Sequence, residues 1–453
     1  MKKNNTGMLE GPLFPSIIKY VVPLMLSSIL QILFNAADQV VVGRFCGSDA
    51  FASVGATSSL VNLIVNLFIG ISTGAGIVVA KAYGARDDKT VHNAVHTAIP
   101  LAVISGTILT LIGLFFSKKL LVFMDTPADI LPYSTKYLKI YFCGSIFSLL
   151  YNFAAAILRA VGDTKSPFIS LSIAGIVNVV LNIVLVTLFN MDVDGVAIAT
   201  VISHVISSIL VIYSLCNRED SARLMFGKLK IYKDSVLNIL KIGIPSGLNS
   251  CMFSMSNVLI QSSINSFGKA VVAGDSAARS VEHFTYVVMN SFYQASLNFT
   301  GQNLGAKQYK RLFKAVGVCL LSVMIIGLTM SVVIYTFGES LLSIFITDSP
   351  DAIRYGMIKL AFVGLPYFLC GMMEVSTGAI RGFGAAIVPM IISVIGVCGI
   401  RIGWILTIFK IPKFHTLESL YFSYPVSWIL TFIAQMIALY FVYKNYRKKN
   451  QDI

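Results

Sequence analysis

Of 453 residues, 56% are hydrophobic and only 12% charged, yet the formal net charge is +14. Apolar runs of about 20 residues, enough to cross a hydrocarbon core, recur along the whole chain and leave no soluble domain over, so the composition describes a polytopic membrane protein. In a soluble protein that positive charge would point to nucleic acid; here it is read loop by loop, because cytoplasmic loops collect Lys and Arg, and no nucleic-acid partner is expected.

Spans are predicted over about 15–42, 51–80, 92–117, 131–158, 166–189, 195–216, 236–262, 272–302, 310–338, 353–380, 387–410 and 418–444, each bounded by charge, Gly or Pro. Lys2 and Lys3 precede the first run, which is too long for a signal peptide and lacks a small-residue cleavage site, so it reads as an uncleaved span. Within it Gln31, Asn35 and Asp38 fall at i, i+4 and i+7 and share one helical stripe. A charged Asp inside a span costs roughly 2.5–3.5 kcal/mol and by default marks an ion, proton or substrate path. The competing reading puts Asp38 at the end of a long span, reaching interfacial water.

Further polar stripes follow. Span 2 carries Ser59, Asn62, Asn66 and Thr73; span 5, Gly175, Asn178 and Asn182; span 7, Ser250, Ser254, Asn257 and Gln261; span 8, Asn290, Gln294 and Asn298. Such residues either bond neighbouring helices at about 0.6–2 kcal/mol each or line a cleft, and their number in both halves favours a cleft. His92 and His96 at i, i+4 lack a third ligand and read as a solvated helix end. Arg279, Glu282 and His283 fall at the outer start of span 8, where an interfacial role and a functional one both stay open. Glu374 in span 10, with Cys370 and Thr377 on its face, is a second buried carboxylate, and Arg401 in span 11 calls for a carboxylate or a helix carbonyl. Seven scattered cysteines support neither a disulfide framework nor a zinc site.

The chain repeats with a period of 221–222 residues. Gly84-Ala85-Arg86 returns as Gly305-Ala306-Lys307; Arg159, Gly162 and Pro167 return as Arg381, Gly384 and Pro389; Pro23, Asn35 and Gln39 return as Pro245, Asn257 and Gln261. Six spans per repeat give both halves one orientation, so the expected fold is an all-α integral membrane protein of about 12 transmembrane helices in two six-helix lobes related by a pseudo-two-fold axis along the membrane normal. The lobes are expected at 1–216 and 236–453, joined by a basic cytoplasmic linker, 217–235. About three times as many Lys and Arg fall on the inner as on the outer segments, where Asp125, Asp129, Asp192, Asp194, Asp348 and Asp351 lie, which places both termini in the cytoplasm. A plasma membrane location, the bacterial inner membrane, follows, and two fused lobes suffice as a monomer. Glu374 falls on Asn152 of the first repeat, so the lobes differ chemically.

No Walker A run, dinucleotide fingerprint or nucleophile elbow is present, and Gly162-Asp163-Thr164-Lys165-Ser166 lacks the glycine spacing of a phosphate loop. The protein is therefore not expected to be an enzyme, and without an ATP site its transport would run on an ion gradient.

Asn35, Ala36, Ala37 and Asp38 followed by Val42-Gly43, the Gly84-Ala85 and Gly301-Gln302-Asn303-Leu304-Gly305-Ala306 loops, Leu158-Arg159 with Gly162-Asp163 and Pro167, and Ile380-Arg381-Gly382 together resemble the multidrug and toxic compound extrusion (MATE) family over essentially the whole length. The resemblance implies a secondary active antiporter that exports cationic or amphipathic organic compounds in exchange for Na+ or H+, with no cofactor beyond that ion. It implies that Asp38 is the principal coupling carboxylate, with a possible Na+ there, that Asn178, Asn152 and Thr200 surround it, and that Pro23 is where span 1 bends. A family carboxylate is replaced by Asn182, and the seventh-span glutamate and tenth-span aspartate of the NorM-like branch read Phe253 and Cys370, so the chain is closer to the DinF-like branch; Glu374, one turn beyond, could stand in. The substrate cleft is expected to draw on Gln31, Asn35, Asn62, Asn66, Asn257, Gln261 and Gln294, with Tyr141, Phe153, Phe284 and Phe292 as cation–π surfaces; ordinary packing is the alternative for each ring. Two other functions stay open: a lipid-linked precursor flippase of the same superfamily, which calls for a cationic cleft, and an integral membrane enzyme, which calls for clustered His or acidic residues.

Overall fold

The computed structural model describes residues 7–124, 126–346 and 349–451, apart from the side chains of residues 48, 49, 51, 59, 255 and 449–451. Lys2, Lys3, Asp125, Asp348 and the side chain of Ser59 lie outside the described residues. The rest is helical, with no strand among the described residues.

In chain order the helices are α1 (Leu13–Val41), α2 (Ser48–Gly84), α3 (Asp88–Phe123), α4 (Leu131–Cys143), α5 (Ser145–Ala160), α6 (Lys165–Thr187), α7 (Val193–Cys216), α8 (Lys233–Asn265), α9 (Lys269–Gly305), α10 (Tyr309–Thr336), α11 (Gly338–Ser343), α12 (Pro350–Lys359), α13 (Tyr367–Gly382), α14 (Ile387–Ser393), α15 (Ile400–Leu406) and α16 (Leu417–Gln451). Among the described residues eight helical stretches are long and apolar enough to cross a membrane, and ten if the bent pairs α4–α5 (47°) and α12–α13 (41°) each form one span. The two remaining predicted spans are α8 and α9, of 33 and 37 residues, longer than a bilayer needs but diluted by polar side chains. The result is a multi-pass membrane fold of about twelve spans.

The repeat is visible in the backbone. The positive φ of Gly47, Arg86 and Gly162 (87°, 57° and 92°) recurs at Gly268, Lys307 and Gly384 (99°, 56° and 86°), each 221 or 222 residues on. Both α2 and α9 are 37 residues long. The halves differ where π-helical turns intervene: Val42–Cys46 after α1, Leu360–Gly364 after α12 and Val394–Gly399 between α14 and α15.

Two compact units are present. The N-unit is Val22–Gly247; the C-unit is the chain before it together with Leu248 onward. The divisions thus fall inside α1 and α8, within two residues of the repeat-equivalent Pro23 and Pro245. The core of the N-unit gathers Val79, Val91, Phe153, Ile157, Leu158 and Leu215. Gly70 and Gly74 of α2 meet Gly243 and Gly247 of α8, where an added Cβ would run into backbone, a small-residue crossing of the kind that lets membrane helices approach closely.

The 217–235 segment is folded onto the N-unit. Ala222 and Leu224 join its core. The Met225 N–H donates to His96 Nε2 at 3.1 Å, the Tyr232 N–H donates to Thr97 Oγ1 at 3.1 Å, and the Asp220 carboxylate accepts from Tyr83 and Arg218. His96 is thereby corrected: it is fully buried, donating Nδ1–H to the His92 carbonyl (2.8 Å) while Nε2 accepts from Met225. In the C-unit, Arg311 donates to the carbonyls of Gly7, Met8, Glu10 and Gly11, fastening the segment before α1.

Candidate functional site

Asp38 sits near the end of α1, half-buried, opposite α6. Gly175, Asn178 and Asn182 form one stripe of α6. Gly175 faces Phe34, whose ring occupies the space that a Cβ would fill, so the glycine admits α1 one turn before Asp38. Asn182 Nδ2 donates to Asp38 Oδ1 and lies 3.5 Å from Asn178 Oδ1; both asparagines are buried. Asn182 Oδ1 is buried without a hydrogen-bond partner. No cation among the described residues pairs with Asp38. The carboxylate and the two amide oxygens are donors of the kind a hard cation takes, and Asn182 Oδ1 is the orphaned one.

Around this group lie Val41, Val42, Val186, Val193 and Val196, with Tyr137 packed on them and within electrostatic range of Asp38. Tyr137 stacks on Tyr141, which meets His204 edge-on at 6.1 Å; His204 Nε2 is buried without a partner. Thr200 and Asn152 bond back to their own helices, at Val196 O (2.9 Å) and Ser148 O (2.8 Å), rather than to Asp38. Pro23 is buried, and the Ser27 hydroxyl donates to its carbonyl at 2.8 Å.

The expected cleft residues divide. Gln31, Asn35, Asn62 and Asn257 are exposed; Asn66, Tyr141 and Gln294 are half-buried; Phe284 is 38% exposed. Phe153 and Phe292 are corrected, since both are fully buried and offer no face to a ligand. Gln261 accepts from Arg279 and donates to Asn265 Oδ1 at 3.0 Å. Glu374 is half-buried in α13, with Arg381 and Cys370 in electrostatic range. Among the described residues Arg401 is paired with neither a carboxylate nor a carbonyl: its guanidinium lies 3.9 Å from the Tyr424 ring centroid and donates to Ser427 Oγ at 3.0 Å.

A second charged group, in the C-unit, was missed. Asp275 is fully buried. Lys359 Nζ lies 2.9 Å from its Oδ1 and 3.7 Å from Glu282 Oε2, Tyr421 donates to Oδ1 at 3.1 Å, and Arg279 to Oδ2 at 2.8 Å. Glu282, expected at the interface, is only 6% exposed, and its Oε1 has no hydrogen-bond partner. The signal was available: Asp275, Arg279 and Glu282 are spaced i, i+4 and i+7, as are Gln31, Asn35 and Asp38. The two groups differ in kind, because among the described residues Asp275 has two cations and Asp38 has none.

The MatE family model matches residues 23–184 and 245–405, one copy per repeat. The chain is 28% identical over 444 residues to the Probable multidrug resistance protein YoeA of Bacillus subtilis (strain 168), covering 95% of this chain and 94% of the relative. It is 26% identical to the Probable multidrug resistance protein YpnP of the same organism, over 85% and 86% of the two chains. Among solved structures, the outward-facing conformation of a multidrug resistance MATE family transporter of the MOP superfamily superposes with a TM-score of 0.90 at 20% identity, covering 98% of this chain and 100% of that one, a likeness of fold.

Proposed function

The chain belongs to the MatE family, and from that premise we propose that it is a secondary active multidrug efflux antiporter, exporting cationic or amphipathic organic compounds in exchange for Na+ or H+. The observation that carries this reading is Asp38: a carboxylate within an apolar helix, hydrogen-bonded to Asn182 and facing no cation among the described residues. An uncompensated carboxylate there is costly unless an exchangeable cation completes it. The names of the curated relatives support the drug-export half of the reading.

In this mechanism a proton or Na+ from outside reaches Asp38, with Asn182 and Asn178 supplying amide groups beside it. Neutralising the carboxylate removes the charge that favours a bound organic cation, so ion and substrate compete and cross in opposite directions. Each charge moved down 100 mV supplies about 2.3 kcal/mol. Asn152, Thr200 and Glu374 serve as secondary polar groups, and Gln31, Asn35, Asn62, Asn66 and Tyr141 of the N-unit and Asn257, Gln261, Phe284 and Gln294 of the C-unit are the residues each unit offers to substrate. That Asn182 stands beside Asp38 where the resemblance implies a second carboxylate supports a position closer to the DinF-like branch. It works as a monomer in the bacterial inner membrane with both termini cytoplasmic.

The test is efflux of a fluorescent organic cation from energised cells, comparing the intact chain with Asp38→Asn, with Na+ present or replaced and the proton gradient kept or collapsed. Loss of efflux in the variant, with dependence on one gradient, is expected and names the ion. Full efflux in Asp38→Asn overturns the role of Asp38. No efflux by the intact chain of any cation tried would favour the lipid-linked precursor reading.

A further inference from the structure

Where α9 turns into α10, the C-unit carries a groove of about 730 Å³ lined by Lys307, Lys310, Arg311, Arg447, Gln308 and Tyr443, among others, with no carboxylate in its lining among the described residues. Arg311 is committed to the backbone of residues 7–11 and lies within electrostatic range of Glu10. Lys307, Lys310 and Arg447 are exposed and form no ion pair among the described residues. The repeat shows that this is no requirement of the fold. At the equivalent turn of the N-unit, Arg86 and Lys89 are accompanied by Asp87 and Asp88; the C-unit has Gln308 and Tyr309 in their place.

The position selects the ligand. The apolar stretches of both α10 and α16 end here, so the groove lies at the depth of the lipid headgroups. Two of its lining residues are tyrosines, Tyr309 and Tyr443, with ring centroids 5.9 Å apart, and Tyr443 also packs on Phe313 at 4.8 Å; tyrosine is a ring type that settles at a membrane interface. Three exposed cations sharing a groove with two tyrosines complement an anionic phosphate carried on an acyl-bearing body, and basic pockets between spans are a recognised way of holding such headgroups. We propose that this groove is a binding site for the phosphate headgroup of an anionic phospholipid, independent of what the protein transports.

The test uses the full chain purified in detergent, with phosphatidylglycerol and phosphatidylcholine as probes and bound lipid counted by native mass spectrometry. The groove variant is Lys307→Gln with Lys310→Gln and Arg447→Gln; a control of equal charge is Lys228→Gln with Lys230→Gln and Lys233→Gln. Retention of phosphatidylglycerol over phosphatidylcholine by the intact chain and the control, with affinity lower by roughly 100-fold at low salt in the groove variant, about 5-fold per cation, is the expected result. Each single substitution should show its own share, and equal unfolding temperatures in lipid-free detergent establish that the variants are folded. Equal loss in the control, full retention by the groove variant, or no preference for the anionic lipid overturns the site. Displacement of the lipid by millimolar inorganic phosphate, but not by chloride of equal ionic strength, overturns the lipid as its ligand.

Discussion

Lys359 and Arg401 are both cations buried within apolar helices, and each is satisfied by a different chemistry. Arg401 rests on Tyr424 and Trp428, a solution open to a flat guanidinium and weaker for an ammonium. Lys359 instead bridges two carboxylates, and removing one member of such a buried set strands the others. Lys359→Met should therefore cost about 3–5 kcal/mol, read as a lowered unfolding temperature, and adding Asp275→Asn should restore much of it. If the single variant unfolds at the temperature of the intact chain, the cluster is not holding the C-unit together. Asp38 presents the opposite case at the same scale, since its hydrogen bond comes from a neutral amide and its charge has no counterion among the described residues.

At the level of the helices, close approach and bending are set by small and cyclic residues. Gly70 and Gly74 of α2 and Gly243 and Gly247 of α8 leave no room for a Cβ. Gly74→Leu should thus overpack the crossing by about 1–3 kcal/mol, whereas Gly227→Ala, where an added Cβ meets nothing, should be close to neutral. Comparable melting temperatures for both would show that the helices part without penalty. In α1 the ring of Pro23 removes one backbone donor and permits a kink. Spin labels at the exposed positions Phe14 and Leu33, on either side of it, should change their separation between low and high pH if Asp38 drives a bend there. Constant distances would separate the proline from the coupling step.

For the molecule as a whole, the connection between the repeats behaves as part of the N-unit. Burial pushes the Asp220 carboxyl up, but hydrogen bonds and charge from Arg218, with the Tyr83 hydroxyl and the Ala222 N–H, more than offset this and hold it below the usual carboxylate value of 3.8. A carboxyl lowered by folding stabilises the fold above its unfolded value, and the contribution is lost as pH falls through the lower folded value. Hydrogen exchange in 217–235 should accordingly be slow at pH 5 and rise selectively below about pH 4. Exchange that is unchanged down to pH 3, or that rises equally in Asp220→Asn, would remove Asp220 from that role.

The spans, the 221–222-residue repeat and the two stripes Gln31–Asn35–Asp38 and Gly175–Asn178–Asn182 are determined by the sequence itself, because apolar length, recurrence and helical spacing are local properties of the chain, whereas the meeting of Asp38 with Asn182, 144 positions away, is decided by packing. The Asp275 cluster joins residues 84 and 146 positions apart, a meeting that helix packing decides and no short-range pattern encodes. Packing likewise decided that Phe153 and Phe292 are core residues, and it seated His96 under the 217–235 segment. An aromatic ring in a span reads the same whether it faces lipid, a cleft or another helix, and only the neighbours that tertiary structure supplies distinguish the three.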